Sequence, residues 1–476
     1  MAPDARIHGV TPRGKASVTR SLLHEGRFGR MFRKLPPAPE YPLDQLRQLA
    51  ESMREQGAAR GRNRPGRADP AGDNPDIPSA YTYFGQFVDH DITFDATSRL
   101  RVKNDPDALV DFRTPRYDLD SLYGSGPVDE PFQYDKDNPG RMLLPANING
   151  VEDVPRNTQG IALIGDPRND ENVIVSGLQI LLLRLHNKLA AEVDKDRGVP
   201  ADSRFDETRR RVRWHYQWVV VHDYLPRICG HDLVEELLKF KKGRPKWGLD
   251  FYTPTKNAYM PIEFSAAAFR FGHSQVRSAY RLNDKVGVKP LFVPGRAPKQ
   301  DADLRGRAPL LAGWTVGWPH FIPIAGSTAQ PSRLIDTKLS AVVFDLPHLP
   351  DDQQQSLALR NLLRGQDMSL PSGQDVAKAV GAMPLTGPEL GGVLDPTPLW
   401  FYILKESELT PDETGSTGRR LGPTGARIVA EVLLGMLRTD PMSYVNQDPS
   451  WTPTIPGTNG KDGTFGLPDL IEYART

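Results

Sequence analysis

The sequence predicts a mainly α-helical protein with long loops. The clearest sign is residues 175–194, where leucines recur at the i, i+3, i+4, i+7 and i+11 spacing of one helical face. No run keeps the alternating pattern of a strand, and no segment repeats. The chain also holds 42 glycines and 44 prolines, above the roughly 7% and 5% of average usage. Helices joined by loops rich in these two residues are therefore expected, with little sheet.

The other elements follow from the same spacing and from prolines that start or stop a helix. Residues 1–75 show little apolar periodicity and end in a stretch dense in Gly, Pro, Arg and Asp, which predicts an extended N-terminal arm. Residues 76–476 are predicted to form one domain, since no convincing linker interrupts them. Besides 175–194, helices are predicted over 206–226, where Pro226 ends the helix, and over 262–280, 352–364 and 423–438.

Composition excludes several classes of protein. The 60 Lys and Arg residues nearly balance the 59 Asp and Glu residues, so nucleic acid is not an expected partner. The single cysteine, Cys229, cannot form an internal disulfide or a Cys-only zinc site. No run reaches the ~18 apolar residues of a membrane span, and the N-terminus lacks the apolar core of a secretory signal. Cytoplasm is the expected compartment; export by another route and the oligomeric state are left open.

The densest polar cluster lies within residues 81–95, among aromatic and aliphatic residues. If this segment is helical, Gln86 and His90 share one face, while Asp89 and Asp91 point elsewhere. Burial of a carboxylate costs several kcal/mol unless something pairs with it, so each aspartate should have a metal, a cation or a covalent partner. A solvated helix start with an Asp cap fits the residues equally well.

The next polar segment is the loop 113–124, where Thr114, Asp118 and Asp120 alternate with other residues. Oxygen-bearing side chains in a tight loop can converge on Ca²⁺, which takes 6–8 oxygen ligands. An Asp-rich turn is the commoner reading of such a loop taken alone.

Three further pairs each place a cationic side chain one helical turn from a polar or titratable residue. A surface ion pair, a buried structural histidine and a helix face are the ordinary explanations for such pairs. The three pairs are Arg168 with Glu171, Arg270 with His273, and Arg364 with Asn361.

Read in order, these segments resemble the animal haem peroxidase family, the peroxidase–cyclooxygenase group that includes myeloperoxidase and lactoperoxidase. The resemblance covers roughly residues 80–450. It is carried by FGQFVDHDITF, DLDSLYG, GDPRNDEN followed by LLLRLHNKLA, AFRFGH and GARIVAEVLLGML. It implies a haem peroxidase that uses hydrogen peroxide to oxidise small donors, halides or thiocyanate through a ferryl intermediate. The lack of disulfides and of a visible signal is typical of a bacterial, cytosolic member.

The resemblance also assigns roles to residues, with haem b and Ca²⁺ as cofactors. The catalytic set on the distal side of the haem would be His90, Arg168 and Gln86, the last beside a small anion. On the proximal side His273 would ligate the iron, with Asn361 holding its other ring nitrogen.

The remaining roles concern attachment of the haem and of calcium. Asp89 and Glu171 would be ester-linked to the haem, and Arg270 and Arg364 would pair with its propionates. The calcium ligands would be Asp91, Thr114, the carbonyl of Arg116, Asp118 and Asp120.

Two departures from family patterns bear on substrate. Asn172 stands where myeloperoxidase has the methionine that bonds to the haem, so bromide, iodide or thiocyanate is a more suitable donor than chloride. Arg270 stands where haem fatty-acid dioxygenases have a catalytic tyrosine, which argues against that alternative. A second alternative is a peroxinectin-like binding or adhesion protein, which would have no need of both His90 and Arg168.

Overall fold

A computed structural model describes residues 26–55, 70–94, 110–255, 257–293, 299–324, 326–347, 349, 354–392, 394–455 and 465–476. Helices dominate it, as predicted. In chain order they are α1 Leu43–Ser52, α2 Ala80–Ile92, α3 Asp120–Tyr123, α4 Val173–Val193, α5 Arg204–Val219, α6 Leu225–Cys229, α7 His231–Leu237, α8 Ile262–Ser265, α9 Leu357–Asp367, α10 Gly373–Ala379, α11 Leu399–Leu409, α12 Pro423–Thr439, α13 Tyr444–Gln447 and α14 Leu467–Arg475.

The strands are short and form four small sheets within the described residues. One sheet has the order β3-β1-β6, and the others pair β2 with β9, β4 with β5, and β7 with β8. Their bounds are β1 Gly26–Gly29, β2 Asp73–Pro78, β3 Val110–Asp111, β4 Leu238–Lys241, β5 Arg244–Trp247, β6 Met260–Pro261, β7 Ala279–Asn283, β8 Gly287–Pro290 and β9 Pro331–Arg333.

The described part of the predicted arm packs onto the body. β1 pairs antiparallel with β3 and parallel with β6, and α1 lies against α9. The helix α1 was not predicted; it buries Leu46 and Leu49 on the side that faces the body. The boundary between residues 75 and 76 stays a prediction.

The centre of the core is α4, which packs against α2, α5 and α14. Asn172 begins this helix, because its side-chain Oδ1 accepts the backbone N–H groups of Ile174 and Val175 at 3.1 and 2.9 Å. By length and composition α4 could cross a membrane, contrary to the sequence prediction, yet 83% of that stretch is buried inside the protein. The buried core helix of a globular protein can meet the same criteria of length and composition.

Two predicted helices differ from the structure. Pro226 does not end the 206–226 helix: a π-turn at Val220–Tyr224 leads into α6, with Pro226 near its start, and the helix ends before Gly230, which has φ +89°. The wider turn lets the chain pass a residue that lacks an N–H group. The predicted 262–280 helix is instead α8, a 3₁₀ turn at Ala268–His273 and then β7.

Two side-chain interactions, one with a distant segment and one local, divide that second segment. Glu263 is fully buried, and its carboxylate accepts the backbone N–H groups of Met31 and Phe32. Arg270 donates from Nε back to the carbonyl of Ser265 at 2.8 Å. Helical spacing alone could not reveal either interaction.

Candidate active site

The first side of the candidate site is built on α2, which carries Gln86, Asp89, His90 and Asp91. His90 is 5% exposed, and its Nδ1 lies 2.8 Å from Oδ1 of Asn169. The Nδ2 of Asn169 donates in turn to Oε1 of Gln179 at 2.9 Å. With the amides placed this way, Nδ1 of His90 carries the proton and Nε2 is left as the basic nitrogen.

The charge state of His90 follows from its surroundings. Burial, reinforced by the nearby Arg168 guanidinium, lowers the pKa of His90 to about 3. The imidazole is therefore neutral at any ordinary pH and is available as a general base.

The Arg168 side chain is held from several directions. Its Nη2 donates to the carbonyls of His90 and Thr93 at 3.0 and 2.8 Å, and Nε and Nη2 also bond to Asp166. Its guanidinium carbon lies 4.6 Å from the ring centre of Phe94. Of the three guanidinium nitrogens, Nη1 is the one that makes no hydrogen bond to a described residue.

Asp166 anchors this arginine, and the sequence analysis missed it. Its buried carboxylate also receives Arg113 at 2.6 Å. Although burial opposes the effect, Arg168 and Arg113 hold the pKa of Asp166 below its ordinary value. Asp166 and Asn169 lie next to Arg168 in the GDPRNDEN motif. This closeness in sequence was the signal from which their roles could have been predicted.

Two half-buried carboxyl groups lie near the Arg168 charge. Burial raises the pKa of Asp89, and the charges of Arg168 and Arg270 oppose it. Burial likewise raises the pKa of Glu171 to about 7, and Gln86 donates a hydrogen bond from Nε2 to its Oε1. The pKa of Asp89 is thus affected by one arginine from each of the two predicted sides of the haem.

The second side of the site is the 3₁₀ turn Ala268–His273 with α9. Nδ1 of His273 lies 2.8 Å from Nδ2 of Asn361, which is fully buried. Oδ1 of Asn361 accepts Nη1 of Arg270 at 3.2 Å. Arg364 follows one turn later on α9 and is half-buried. The predicted pairing of His273 with Asn361 is therefore present in the fold.

Three of the predicted calcium ligands lie close together. Oxygens of Asp91, Asp118 and Asp120 lie within 4.8 Å of one another. Thr114 donates its hydroxyl to Asp118 at 2.7 Å, and Arg116 follows in the same loop, with its backbone N–H on the Thr114 carbonyl at 2.7 Å.

The carboxyl groups of this cluster repel one another. Asp91 is fully buried, and burial together with Asp120 and Asp118 raises its pKa well above the ordinary value. Burial and Asp118 raise the pKa of Asp120 to about 7, although Arg113 opposes the shift. Arg113 lies 3.5 Å from Asp120. Its single positive charge does not offset the negative charge of three carboxylates.

The class of protein is given by a match to a family model. Residues 129–389 match the family model described as animal haem peroxidase. The chain belongs to the animal haem peroxidase family, and both the predicted resemblance and the predicted fold class are confirmed.

Curated relatives agree with this membership over part of their length. A peroxidasin homologue of Mus musculus is 30% identical over 220 residues, which cover 45% of this chain and 14% of that protein. A thyroid peroxidase of Canis lupus familiaris is 30% identical over 220 residues, or 44% of this chain and 21% of that protein. The chain thus spans less than a quarter of either relative.

Solved structures show the same fold at low identity. Peroxidase A from Dictyostelium discoideum has a TM-score of 0.67 at 17% identity, covering 95% of this chain and 93% of that one. A fatty acid alpha-dioxygenase of Arabidopsis thaliana has a TM-score of 0.61 at 16% identity, covering 92% and 76%. Similarity at this level concerns the fold alone.

Proposed function

We propose that this chain is a peroxidase that binds haem b between the α2 side and the His273 turn and uses hydrogen peroxide to oxidise small donors. The observation that carries the proposal is His90, a neutral histidine whose Nδ1 is occupied by Asn169 and whose Nε2 is left as a base beside the Arg168 guanidinium. A binding protein with the same fold would not need a base and a fixed cation together.

The residues on the second side fit a haem iron. An iron-bound His273 carries its proton on Nδ1 and needs an acceptor there. A half-turn of the Asn361 amide, whose oxygen and nitrogen are nearly interchangeable in placement, presents Oδ1 to that proton. In that orientation Arg270 no longer donates to Oδ1. Arg270 and Arg364 would pair with the two haem propionates.

Each side chain on the first side has a defined task. Haem, when bound, supplies the oxidation–reduction chemistry with peroxide. His90 Nε2 accepts a proton from one peroxide oxygen and returns it to the other, which is general acid–base catalysis. Arg168 stays charged and stabilises negative charge as the oxygen–oxygen bond breaks. The carbonyls and Asp166 that hold Arg168 fix this charge in place.

Asp89 and Glu171 would form the ester links to haem. Both are carboxyl groups whose pKa values burial raises, so removing the charge by esterification relieves a desolvation cost. Gln86 holds Glu171 and would line the subsite of a small anion beside His90.

Calcium would bind Asp91, Thr114, the Arg116 carbonyl, Asp118 and Asp120. Asp91 lies next to His90 in α2, so the ion would fix the helix that carries the base. Calcium would therefore support catalysis through the position of His90.

Chloride would be the least suitable of the halide donors. Asn172 caps α4 with its side chain and has no sulfur with which to bond to haem. We expect turnover of iodide, thiocyanate and bromide, with chloride poorly used at neutral pH. Halogenation of a trapping substrate at matched peroxide tests this, and chloride turnover equal to bromide would contradict it.

The decisive experiment is haem binding to the purified chain. The wild type should give a Soret band with one haem per chain and turn over iodide with peroxide. His273→Ala should lose the band or the activity, while His231→Ala, at an exposed position on α7, should keep both. A wild-type chain that takes up no haem would refute the proposal.

A further inference from the structure

An exposed arginine, Arg307, belongs to a loop segment that packs along the start of α4. Residues 304–307 run beside residues 170–173, and backbone hydrogen bonds and an antiparallel β-bridge join the two segments. The N–H groups donate from Val173 to the Leu304 carbonyl at 2.9 Å, from Gly306 to the Glu171 carbonyl at 2.9 Å and from Arg307 to the Asp170 carbonyl at 2.7 Å. The backbone of Arg307 is therefore fixed beside Glu171.

The backbone of Arg307 has a conformation that costs energy for this residue type. Its φ is +61°, in the left-handed region that glycine adopts freely and that a side chain with a Cβ disfavours. The segment cannot relax by moving outward and turning, because it is pressed so closely against its partner that a Cβ on Gly306 would lie 2.1 Å from the Asp170 oxygen. A residue other than glycine in such a position is a candidate for a functional side chain.

The Arg307 side chain is an unpaired cation. It is exposed, and its guanidinium makes no hydrogen bond or ion pair with a described residue. Arg305, two residues earlier, differs in this respect, because it pairs with Asp303 at 2.6 Å. Burial raises the pKa of Glu171, and the charges of Arg168 and then Arg307 oppose the shift, so the Arg307 guanidinium lies near this carboxyl group.

Glu171 connects this cation to the interior of the candidate site. Its Oε1 accepts Nε2 of Gln86, and Gln86 precedes His90 by one turn of α2. Both Gln86 and Glu171 are half-buried, whereas Arg307 is exposed. Arg307 thus lies on the solvent side of the residues that would form the subsite of a small anion.

We propose that Arg307 recruits small anionic donors, such as iodide and thiocyanate, to the entrance of the site and sets their preference over neutral donors. The inference rests on the proposed peroxidase function and adds a residue that selects the donor. An ester-linked Glu171 would carry no charge, so the Arg307 guanidinium would then act on the incoming anion alone. Arg168 cannot take this role, because Asp166 and two backbone carbonyls hold it.

The charge of Arg307 acts on the donor before any chemistry takes place. A fixed cation at an entrance raises the local concentration of anions and their rate of association, and added salt screens this effect. A neutral donor gains nothing from the charge. One exposed charge pair changes an equilibrium up to about fivefold, so the effect should appear as a change of that order in KM.

The variant Arg307→Gly tests the role of the charge without straining the fold. Glycine relieves the positive φ, so urea unfolding of the haem-free variant should show no loss of stability. In haem-loaded protein at an ionic strength of about 0.01 M, kcat/KM for thiocyanate relative to that for neutral hydroquinone should fall about fivefold, mainly through KM. Because both donors share the step with peroxide, the ratio isolates the choice of donor.

Two further variants separate charge from shape and from position. Arg307→Lys keeps the charge and the same backbone cost, so it should keep most of the preference for thiocyanate. Arg244→Gln removes an exposed arginine on β5 and should leave the ratio unchanged. A loss in Arg307→Lys as large as in Arg307→Gly would overturn recruitment by charge.

A binding measurement without turnover completes the test. Thiocyanate is titrated into resting haem-loaded protein without peroxide, and the Soret difference spectrum gives the dissociation constant. That constant should be about fivefold higher in Arg307→Gly, and raising the ionic strength to about 0.15 M should weaken binding more in the wild type than in the variant. Equal donor ratios and equal binding in the two proteins would overturn the role of Arg307. Failure of iodide turnover in the wild type would instead refute the peroxidase proposal.

Discussion

Calcium binding to the Asp91, Asp118 and Asp120 cluster should release protons. The ligand oxygens lie within 4.8 Å of one another, and at an effective dielectric constant of ~20 each pair of full charges at this distance repels by roughly 3–4 kcal/mol. Without a cation the cluster therefore retains protons, as the pKa of Asp120 near 7 and the raised pKa of Asp91 indicate. A bound calcium ion needs ionised ligands and expels those protons.

At pH 7 the release expected from Asp120 is about half a proton per calcium ion bound, because its pKa lies near 7, and the raised pKa of Asp91 should add to it. Because protons compete with the ion, the affinity for calcium should rise as pH increases through about 7, the pKa of Asp120. Calcium at 100 times its dissociation constant should add about 2.7 kcal/mol to the free energy of unfolding.

The assay is a calcium titration of chelator-treated protein in weak buffer with a pH indicator, repeated by calorimetry in two buffers of different ionisation enthalpy. Asp91→Asn should abolish both proton release and stabilisation. Asp284→Asn serves as the control, because Asp284 is 85% exposed and outside the cluster. Stabilisation of the wild type by calcium without any proton release would refute the reasoning, since the carboxylates would then have been ionised beforehand.

Three further outcomes are expected. His90→Ala should slow the reaction with peroxide at least about a hundredfold, the lower end for loss of a positioned base; stopped-flow absorbance measures this, and a wild-type rate would remove the assigned role. After exposure to peroxide, haem should resist acid–acetone extraction from the wild type and come away freely from the Asp89→Ala, Glu171→Ala double variant; free release from the wild type would contradict the ester links. Burial lowers the pKa of His186 to about 4 from 6.5, so stability from this residue is lost as pH falls from about 6.5 towards 4, by about 1.4 kcal/mol per pH unit. Urea unfolding of His186→Gln at pH 7 and 5 should show a correspondingly flatter pH dependence, and parallel curves would show that His186 does not titrate on unfolding.

The local pattern of residues was enough to predict the main helices. The leucine spacing of 175–194 corresponds to α4, and Pro423 begins α12 as predicted. These elements are determined locally, because an apolar face and an end signal lie within the segment itself. The ordered motifs likewise led to the family.

The tertiary structure decided features that join residues far apart in the chain. Pro226 is tolerated inside a continuous helical segment through a π-turn, and Glu263 is committed to the N-terminal segment rather than to a long helix. Asp166 became recognisable as an anchor only when Arg113 and Arg168 were seen to meet at its carboxylate. A sequence pattern cannot place partners 53 residues apart.

A row of buried aromatic rings, formed by Tyr83, Tyr280, Phe321 and Trp318, shows the same limit most clearly. Tyr83, Tyr280 and Trp318 belong to a helix, a strand and a 3₁₀ turn that share no common spacing. Their residue types could be read as core residues, which they also are. Only the packing of β7 against α2 and the Trp318 turn brings the rings to within 6.2 Å of their neighbours, because ring contacts are set by the positions of whole elements in the core.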